Sequence, residues 1–122
     1  MNNWLCRFEK YRSDKILLDS RRAQLKRFLD DYGYARSDVR VVPVLGAISE
    51  LEASMKTTES ELDEYVRSAS TPREAAKRAD EKLFLTYRYV HGMTMERAAE
   101  EMCVSRDTIY RIRRRIAEKN DL

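Results

Sequence analysis

Residues 89–118, YVHGMTMERAAEEMCVSRDTIYRIRRRIAE, decide how the C-terminal part of this chain folds. Thr94 and Ser105 are residue types that cap helix N-termini. They precede two segments with apolar residues at helical spacing, Met95 to about Met102 and Arg106 to about Glu118. The stretch therefore predicts two short helices joined by a turn.

The turn and the apolar residues of this stretch share one register. Ala99 is small enough for two steeply crossing helices to approach closely, and Cys103, four positions later, falls at the turn. Ile109 and Ile112 then become the inward anchors of the second helix, with Val104 under the corner. Because this turn position favours φ > 0, and hence glycine, the cysteine is a departure that costs roughly 1 kcal/mol. The register is the one that a helix-turn-helix requires.

With these isoleucines inward, the outward face of the last helix is cationic and suits the major groove of duplex DNA. Arg106 and Arg111 are the expected base readers, because arginine bonds guanine O6 and N7 in a bidentate way. Tyr110 and Arg114 are expected on phosphates. Asp107 either accepts from a cytosine amino group or favours the helix N-terminus by its charge. Three further residues complete the predicted DNA contacts: Ser105 at the start of the last helix, and Thr94 and Arg97 in the preceding one.

The arginine run at residues 111–115 admits a second interpretation as a solvated helix end, whose positive charge suits the helix dipole. Arg113 and Arg115 flank the inward face, so contact with the DNA backbone and simple exposure to solvent are both open for them. Because the run lies opposite the inward isoleucines, DNA binding is favoured over a merely solvated helix end.

The upstream sequence predicts two long helices. From Trp4 to about Tyr32 there is no glycine or proline, and apolar residues recur at spacings of three and four. Residues 33–43 form a linker in which the backbone before Pro43 should be extended. From about Val44 to Ala69, apolar residues occupy consecutive heptad a and d positions, which predicts a second helix.

This narrow apolar seam must face another helix, and two partners are open: the first helix of the same chain, antiparallel to it, and a second copy of the chain. Charge complementarity favours pairing within the chain. Four basic residues of the first helix would then approach four glutamates of the second: Arg21, Arg22, Lys26 and Arg27 with Glu50, Glu52, Glu59 and Glu61.

A third helix is predicted to begin at Pro72, with Thr71 as its N-cap and Glu74 completing a capping box. Its apolar residues continue through Ala75, Ala76, Ala79, Leu83, Tyr87 and Val90. The expected fold class is all-α: a long helical hairpin or coiled-coil pair over residues 1–70, followed by a three-helix domain with the helix-turn-helix over residues 71–122.

Charge and composition narrow the function. Residues 1–43 carry a net charge of +4, residues 44–71 carry −4 and residues 72–119 carry +4, so the first two segments would pair and leave the third for an anionic partner. A single histidine, no glycine-rich phosphate loop and no clustered carboxylates argue against an enzyme. No metal or cofactor is expected, because the two cysteines form no ligand spacing with the histidine.

The chain is expected to be cytoplasmic and to have no contact with a membrane. No apolar run approaches the roughly 20 residues of a membrane span, and the N-terminus lacks the features of a secretory signal. Cys6 and Cys103 are far apart in the sequence and are expected to be free thiols in a reducing compartment.

Residues 72–118 resemble region four of bacterial sigma factors, in which a helix ending in a glycine-hydrophobic step leads into a short helix, a turn and a recognition helix opened by Ser-Arg. The matching residues are Val90-His91-Gly92-Met93-Thr94, Glu96, Ala98, Ala99, Val104, Ser105, Arg106, Ile109 and Ile112-Arg113-Arg114. The last helix of that family reads promoter DNA, so the resemblance implies a role in transcriptional regulation. It also implies DNA contact by Ser105, Arg106, Asp107, Tyr110 and Arg111.

The chain departs from a working sigma factor upstream of residue 72, where it has no aromatic-rich domain of the kind that melts promoters. The N-terminal helix pair instead looks like that of small phage-encoded regulators, such as late-gene activators of the RinA and ArpU type. The resemblance implies phage or prophage origin. RNA polymerase and a second copy of the chain, bound through the N-terminal helices, are further expected partners.

Two other functions are open. A DNA-packaging recognition protein, such as a small terminase subunit, also combines a helix-turn-helix with oligomerising helices, but usually in the reverse order along the chain. A polymerase- or sigma-interacting module that does not read DNA would use the acidic second helix.

Overall fold

The computed structural model describes residues 3–118, and within that range it is all-α, with no strand. The all-α part of the predicted fold class is thereby confirmed. Five α-helices follow one another, and the first and third each end in a π-helical turn. Their bounds are Trp4–Lys26 (α1) with the turn Arg27–Asp31, Val42–Arg67 (α2), Pro72–Leu85 (α3) with the turn Thr86–Val90, Met95–Met102 (α4) and Arg106–Glu118 (α5).

The ends of α1 and α3 share one geometry, and the end of the first helix just before Gly33 agrees with the sequence. In each, an N–H donates to the carbonyl five residues earlier, at 3.0 Å: Tyr32 to Arg27 and His91 to Thr86. Gly33 and Gly92 follow at φ +68° and +69°. This left-handed conformation closes a helix and is strained for a residue with a Cβ, so glycine is favoured at both positions.

The start of α2 differs from the expectation. The helix begins at Val42 and holds Pro43 in its first turn, so the predicted extended backbone before this proline is wrong. The Val41 N–H already donates to the Asp38 carbonyl at 2.9 Å, which forms a turn ahead of the helix. Proline is tolerated there because the N–H that it lacks has no partner in the first turn. The pKa of Asp38, the residue at the start of this turn, is lowered to about 2. The main cause is hydrogen bonding from the Arg40 side chain, and hydrogen bonding from the Arg40 backbone adds to it.

The chain forms two compact units, and their boundary crosses both long helices. Described residues 3–12 and 58–118 form one of them, the terminal unit, and residues 13–57 form the other, the central unit. This division differs from the expected boundary near residue 70. The first turns of α1 and the last turns of α2 belong with α3–α5 because their side chains contribute to the same core.

In the central unit, α1 and α2 pack against each other within one chain. Leu18 of α1 lies in a buried cluster with Val44 and Ile48 of α2, and partly buried apolar residues surround it: Leu25, Phe28, Leu51 and Met55. Of the predicted charge pairs, Arg22 and Glu52 form an ion pair with an N···O distance of 2.8 Å. Both side chains are half exposed, so the pair contributes only tenths of a kcal/mol.

The terminal unit contains further contacts between α1 and α2. The predicted approach of Glu59 and Glu61 to the basic residues 21–27 is wrong, because antiparallel pairing places both glutamates beside the start of α1. The Tyr11 hydroxyl donates to Glu59 Oε1 at 2.8 Å, and Arg7 forms an ion pair with Glu61 at 3.1 Å. The side chains of largest volume that are buried here come from α1, α3 and α5: Phe8, Phe84, Leu85, Ile109 and Ile116.

We expect residues 71–122 alone to lose most of their helical circular dichroism. This fragment lacks four buried side chains of the terminal unit: Leu5, Phe8, Tyr11 and Leu62. Their burial is worth about 6–12 kcal/mol together, which is comparable with the whole stability of a small domain.

The matched control replaces residues 13–57 by a short glycine-serine linker from Arg12 to Thr58. The contact between Tyr11 and Glu59 shows that these two points lie close together. This shortened chain should retain a cooperative thermal transition. A cooperative transition in residues 71–122 alone would contradict the assignment of the hairpin ends to the terminal unit.

Candidate nucleic-acid interface

The segment that joins α4 to α5 is a tight, fully hydrogen-bonded turn. Cys103 has φ 57° and ψ 41°, and it is the non-glycine residue with positive φ among residues 3–118. The Val104 N–H donates to the Ala99 carbonyl at 3.0 Å, and the Thr108 N–H donates to Ser105 Oγ at 3.1 Å. The left-handed turn and the serine cap thus occur at the predicted residues.

The inward face of α5 is apolar and buried. Ile109 is fully buried and Ile112 nearly so, and Ala98 and Ala99 of α4 are buried too. The predicted inward position of the two isoleucines is confirmed. Because this face is fixed in the core, the opposite face of α5 is fixed toward solvent.

The outward face of α5 brings five of the eight predicted contact residues together around one shallow depression: Arg106, Asp107, Tyr110, Arg111 and Arg114. All five are exposed. The Arg106 guanidinium lies over the Tyr110 ring, 5.8 Å from its centroid, which orients both side chains on this face. Within residues 3–118, none of the three arginines has a salt-bridge partner, so their charge is available to an anionic ligand.

The three other predicted residues have contacts within their own helices. The Thr94 hydroxyl caps α4 by accepting from the Arg97 N–H at 3.1 Å, and the Ser105 hydroxyl caps α5. Arg97 forms ion pairs with Glu101 at 2.9 Å and with Glu100 at 3.7 Å. These two glutamates offset its charge, which lowers its attraction for phosphate. Contact of these three residues with DNA stays a prediction.

Arg115 has a role that sequence reasoning missed. Its Nε donates to Glu81 Oε2 at 3.0 Å, and its Nη2 donates to the Lys77 carbonyl at 3.1 Å. Simple exposure to solvent, one of the two interpretations left open for this residue, is therefore wrong, and its contact with the DNA backbone stays a prediction. Glu81 is only 1% exposed, and its Oε1 accepts a hydrogen bond of 2.7 Å from the Tyr65 hydroxyl.

The buried face of α3 differs from the face that the sequence pattern predicts. The apolar series read through Ala76 and Leu83 predicts that these residues face inward, yet both are exposed, and Leu83 is 42% exposed. The face of α3 that is buried contains Glu81, Phe84 and Leu85. No local pattern marks Glu81 as buried, because its partners Tyr65 and Arg115 lie 16 and 34 positions away in the sequence.

Arg113 lies on the other side of α5 and is exposed. Burial raises the pKa of Tyr89 above its ordinary value, and the charge of Glu9 raises it further, whereas Arg113 and Arg88 act in the opposite direction. Arg113 is therefore close enough to Tyr89 to affect its ionisation. Among the five arginines of α5, Arg106, Arg111 and Arg114 border the outward depression, Arg115 is bonded to Glu81, and Arg113 is exposed.

Residues 3–118 offer no metal site and no membrane-spanning helix. In that range, no group of three or more His, Cys, Asp or Glu side chains could hold a metal ion, and no helix is long and apolar enough to cross a membrane. Cys6 and Cys103 are exposed free thiols. Comparison with protein-family models, with curated proteins and with solved structures gives no match to this chain.

Replacement of Cys103 by glycine should stabilise the protein by about 1 kcal/mol, because glycine adopts a left-handed backbone without strain. The measurement is the free energy of unfolding from urea titration, followed by circular dichroism.

The control for this substitution is Ala76→Gly at an exposed position inside α3. There a glycine should destabilise by about 1 kcal/mol. A loss of stability in Cys103→Gly of the same size as in the control would contradict the left-handed turn.

Proposed function

We propose that this chain is a sequence-specific, double-stranded DNA-binding protein that regulates transcription. In this proposal α4 and α5 form a helix-turn-helix, and α5 enters the major groove with its N-terminal turn foremost. The observation that carries the proposal is the outward face of α5, where Arg106, Arg111 and Arg114 are exposed opposite buried isoleucines and form no ion pair within residues 3–118.

The size of the helix suits a groove. α5 has 13 residues, which corresponds to a length of about 20 Å. The major groove of B-DNA is about 12 Å wide and admits one helix. Arg106 and Arg111 lie on the outward face five residues apart, so both can reach base edges in one groove. Each bidentate contact between an arginine and guanine contributes about 1–3 kcal/mol of discrimination.

Positive charge on this face supports binding without sequence preference as well. Arg114 lies two turns after Arg106 on the same face, where the groove wall presents phosphates. Every phosphate contact releases counterions, so affinity should fall steeply as the salt concentration rises. Specific and non-specific binding would thus both use the outward face of α5. The base contacts lie toward the start of the helix and the phosphate contact lies toward its end.

A second candidate function is a protein-interaction module that contacts RNA polymerase or a second copy of the chain. The observation that favours it is the apolar exposure of the central unit. Five large hydrophobic residues are at least 43% exposed there: Ile16, Leu17, Tyr32, Val39 and Val42. This function is compatible with DNA binding by the terminal unit, because the two surfaces use different residues.

The DNA proposal is tested by selecting bound sites from random duplexes and then titrating fluorescent duplexes by polarisation. Arg106→Ala and Arg111→Ala should each reduce the ratio of selected-site to scrambled-site affinity by about 5- to 100-fold, because each removes a base contact. Arg114→Ala should weaken both duplexes alike and lower the slope of log affinity against log salt by about 1.

Arg36→Ala is the matched control, since this arginine is exposed in the central unit. It should leave the affinity ratio unchanged. Wild-type protein that enriches no site and binds duplex DNA without salt dependence would overturn the proposal in favour of the protein-interaction module.

A further inference from the structure

Glu81 is a charged side chain buried in the terminal unit, and its carboxylate is shared between two other helices. Oε1 accepts from the Tyr65 hydroxyl of α2 at 2.7 Å, and Oε2 accepts from Arg115 Nε of α5 at 3.0 Å. Burial of a carboxylate without partners is strongly unfavourable, so these two bonds are needed to keep the charge in place. The carboxylate thereby connects α2, α3 and α5.

Further hydrogen bonds fix both ends of this connection. Arg115 Nη2 donates to the Lys77 carbonyl of α3 at 3.1 Å, so its guanidinium is held in two directions. Arg78 lies over the Tyr65 ring at 4.5 Å and donates to the Tyr65 carbonyl at 2.8 Å. Arg78 thus contacts both the ring and the backbone of Tyr65.

Such a network is a poor means of gaining stability. Apolar side chains of similar volume in place of a buried ion pair are often neutral or stabilising, because the charges no longer have to lose water. Hydrophobic contact is non-directional, however, and would hold the isoleucine face of α5 without fixing its rotation. Hydrogen bonds depend steeply on angle, so the bonds to Arg115 restrict both the rotation and the axial position of α5.

Rotation of α5 matters for the residues that are proposed to read bases. Arg111 lies one helical turn before Arg115, and Arg114 is its neighbour in sequence. Binding sites of this kind need side chains within about 0.5 Å and 10–20° of the productive geometry. If α5 could rotate on its isoleucine face, Arg106 and Arg111 would contact several neighbouring base pairs instead of one each.

We propose that the network of Tyr65, Glu81 and Arg115 is a positioning device that gives the helix its sequence selectivity, while none of the three touches DNA. The inference depends on the proposed DNA function and adds to it. It makes selectivity depend on a tyrosine of α2, outside the segment that resembles a DNA-binding motif.

The test compares full-length variants on two duplexes, the one recovered by selection with wild-type protein and a scrambled one of the same length. Tyr65→Phe removes one hydrogen bond and keeps the ring, and it should reduce the affinity ratio about three- to tenfold. The triple variant Tyr65→Phe, Glu81→Met, Arg115→Met replaces the network by apolar side chains. Its melting temperature should equal or exceed that of the wild type, and its affinity ratio should fall at least as far as in Tyr65→Phe.

Salt dependence separates positioning from direct contact. Loss of a positioning residue leaves the phosphate contacts unchanged, so the slope of log affinity against log salt should match that of the wild type in the triple variant. A slope lower by about 1 would show that Arg115 contacts phosphate, and it would overturn the inference. Arg115→Lys keeps the charge but cannot make both bonds, and it should lose selectivity as well.

Tyr32→Phe is the matched control, because this tyrosine is 54% exposed in the central unit. It should leave the affinity ratio unchanged. Wild-type selectivity in both the folded triple variant and Tyr65→Phe would overturn the positioning role while leaving the DNA function intact. Wild-type protein that shows no selectivity would overturn the two proposals together.

Discussion

Burial of one face of α5 is the constraint on which the candidate interface depends. A helix of 13 residues with several like charges is marginal in water by itself, so it exists because its three isoleucines are removed from solvent. That burial also decides which arginines face outward. The left-handed backbone at Cys103 and the small Ala99 serve the same constraint, because they let α4 cross close enough to cover Ile109 and Ile112.

The terminal unit holds this helix from two directions. The isoleucine face rests on the core, and Arg115 is bonded to Glu81 and to the Lys77 carbonyl. One of the five arginines in α5 therefore belongs to the protein's own packing. A count of basic residues would overstate the charge that this helix offers to a ligand.

Much of this arrangement was predictable from the sequence. The features that were not predictable depend on contacts between residues far apart in the chain. The caps Thr94 and Ser105, the turn at Cys103 and the inward isoleucines follow from local rules that act over three or four positions, and the structure contains each of them. Glu81 could not be found that way, because burial of a charge is decided by partners 16 and 34 positions away. The pairing of Glu59 and Glu61 was misjudged because charge complementarity alone does not fix the register of two antiparallel helices.

The terminal unit unites residues 3–12 with residues 58–118, so its core joins segments that are far apart in sequence. Contacts such as that between Trp4 and Tyr65, with ring centroids 5.6 Å apart, close a long loop, and their formation is slow relative to the contacts within one helical turn. During synthesis, residues 3–12 leave the ribosome well before the partners that cover Phe8. During this interval Phe8 is accessible to chaperones. The outward arginine face of α5 forms only after translation has passed that helix.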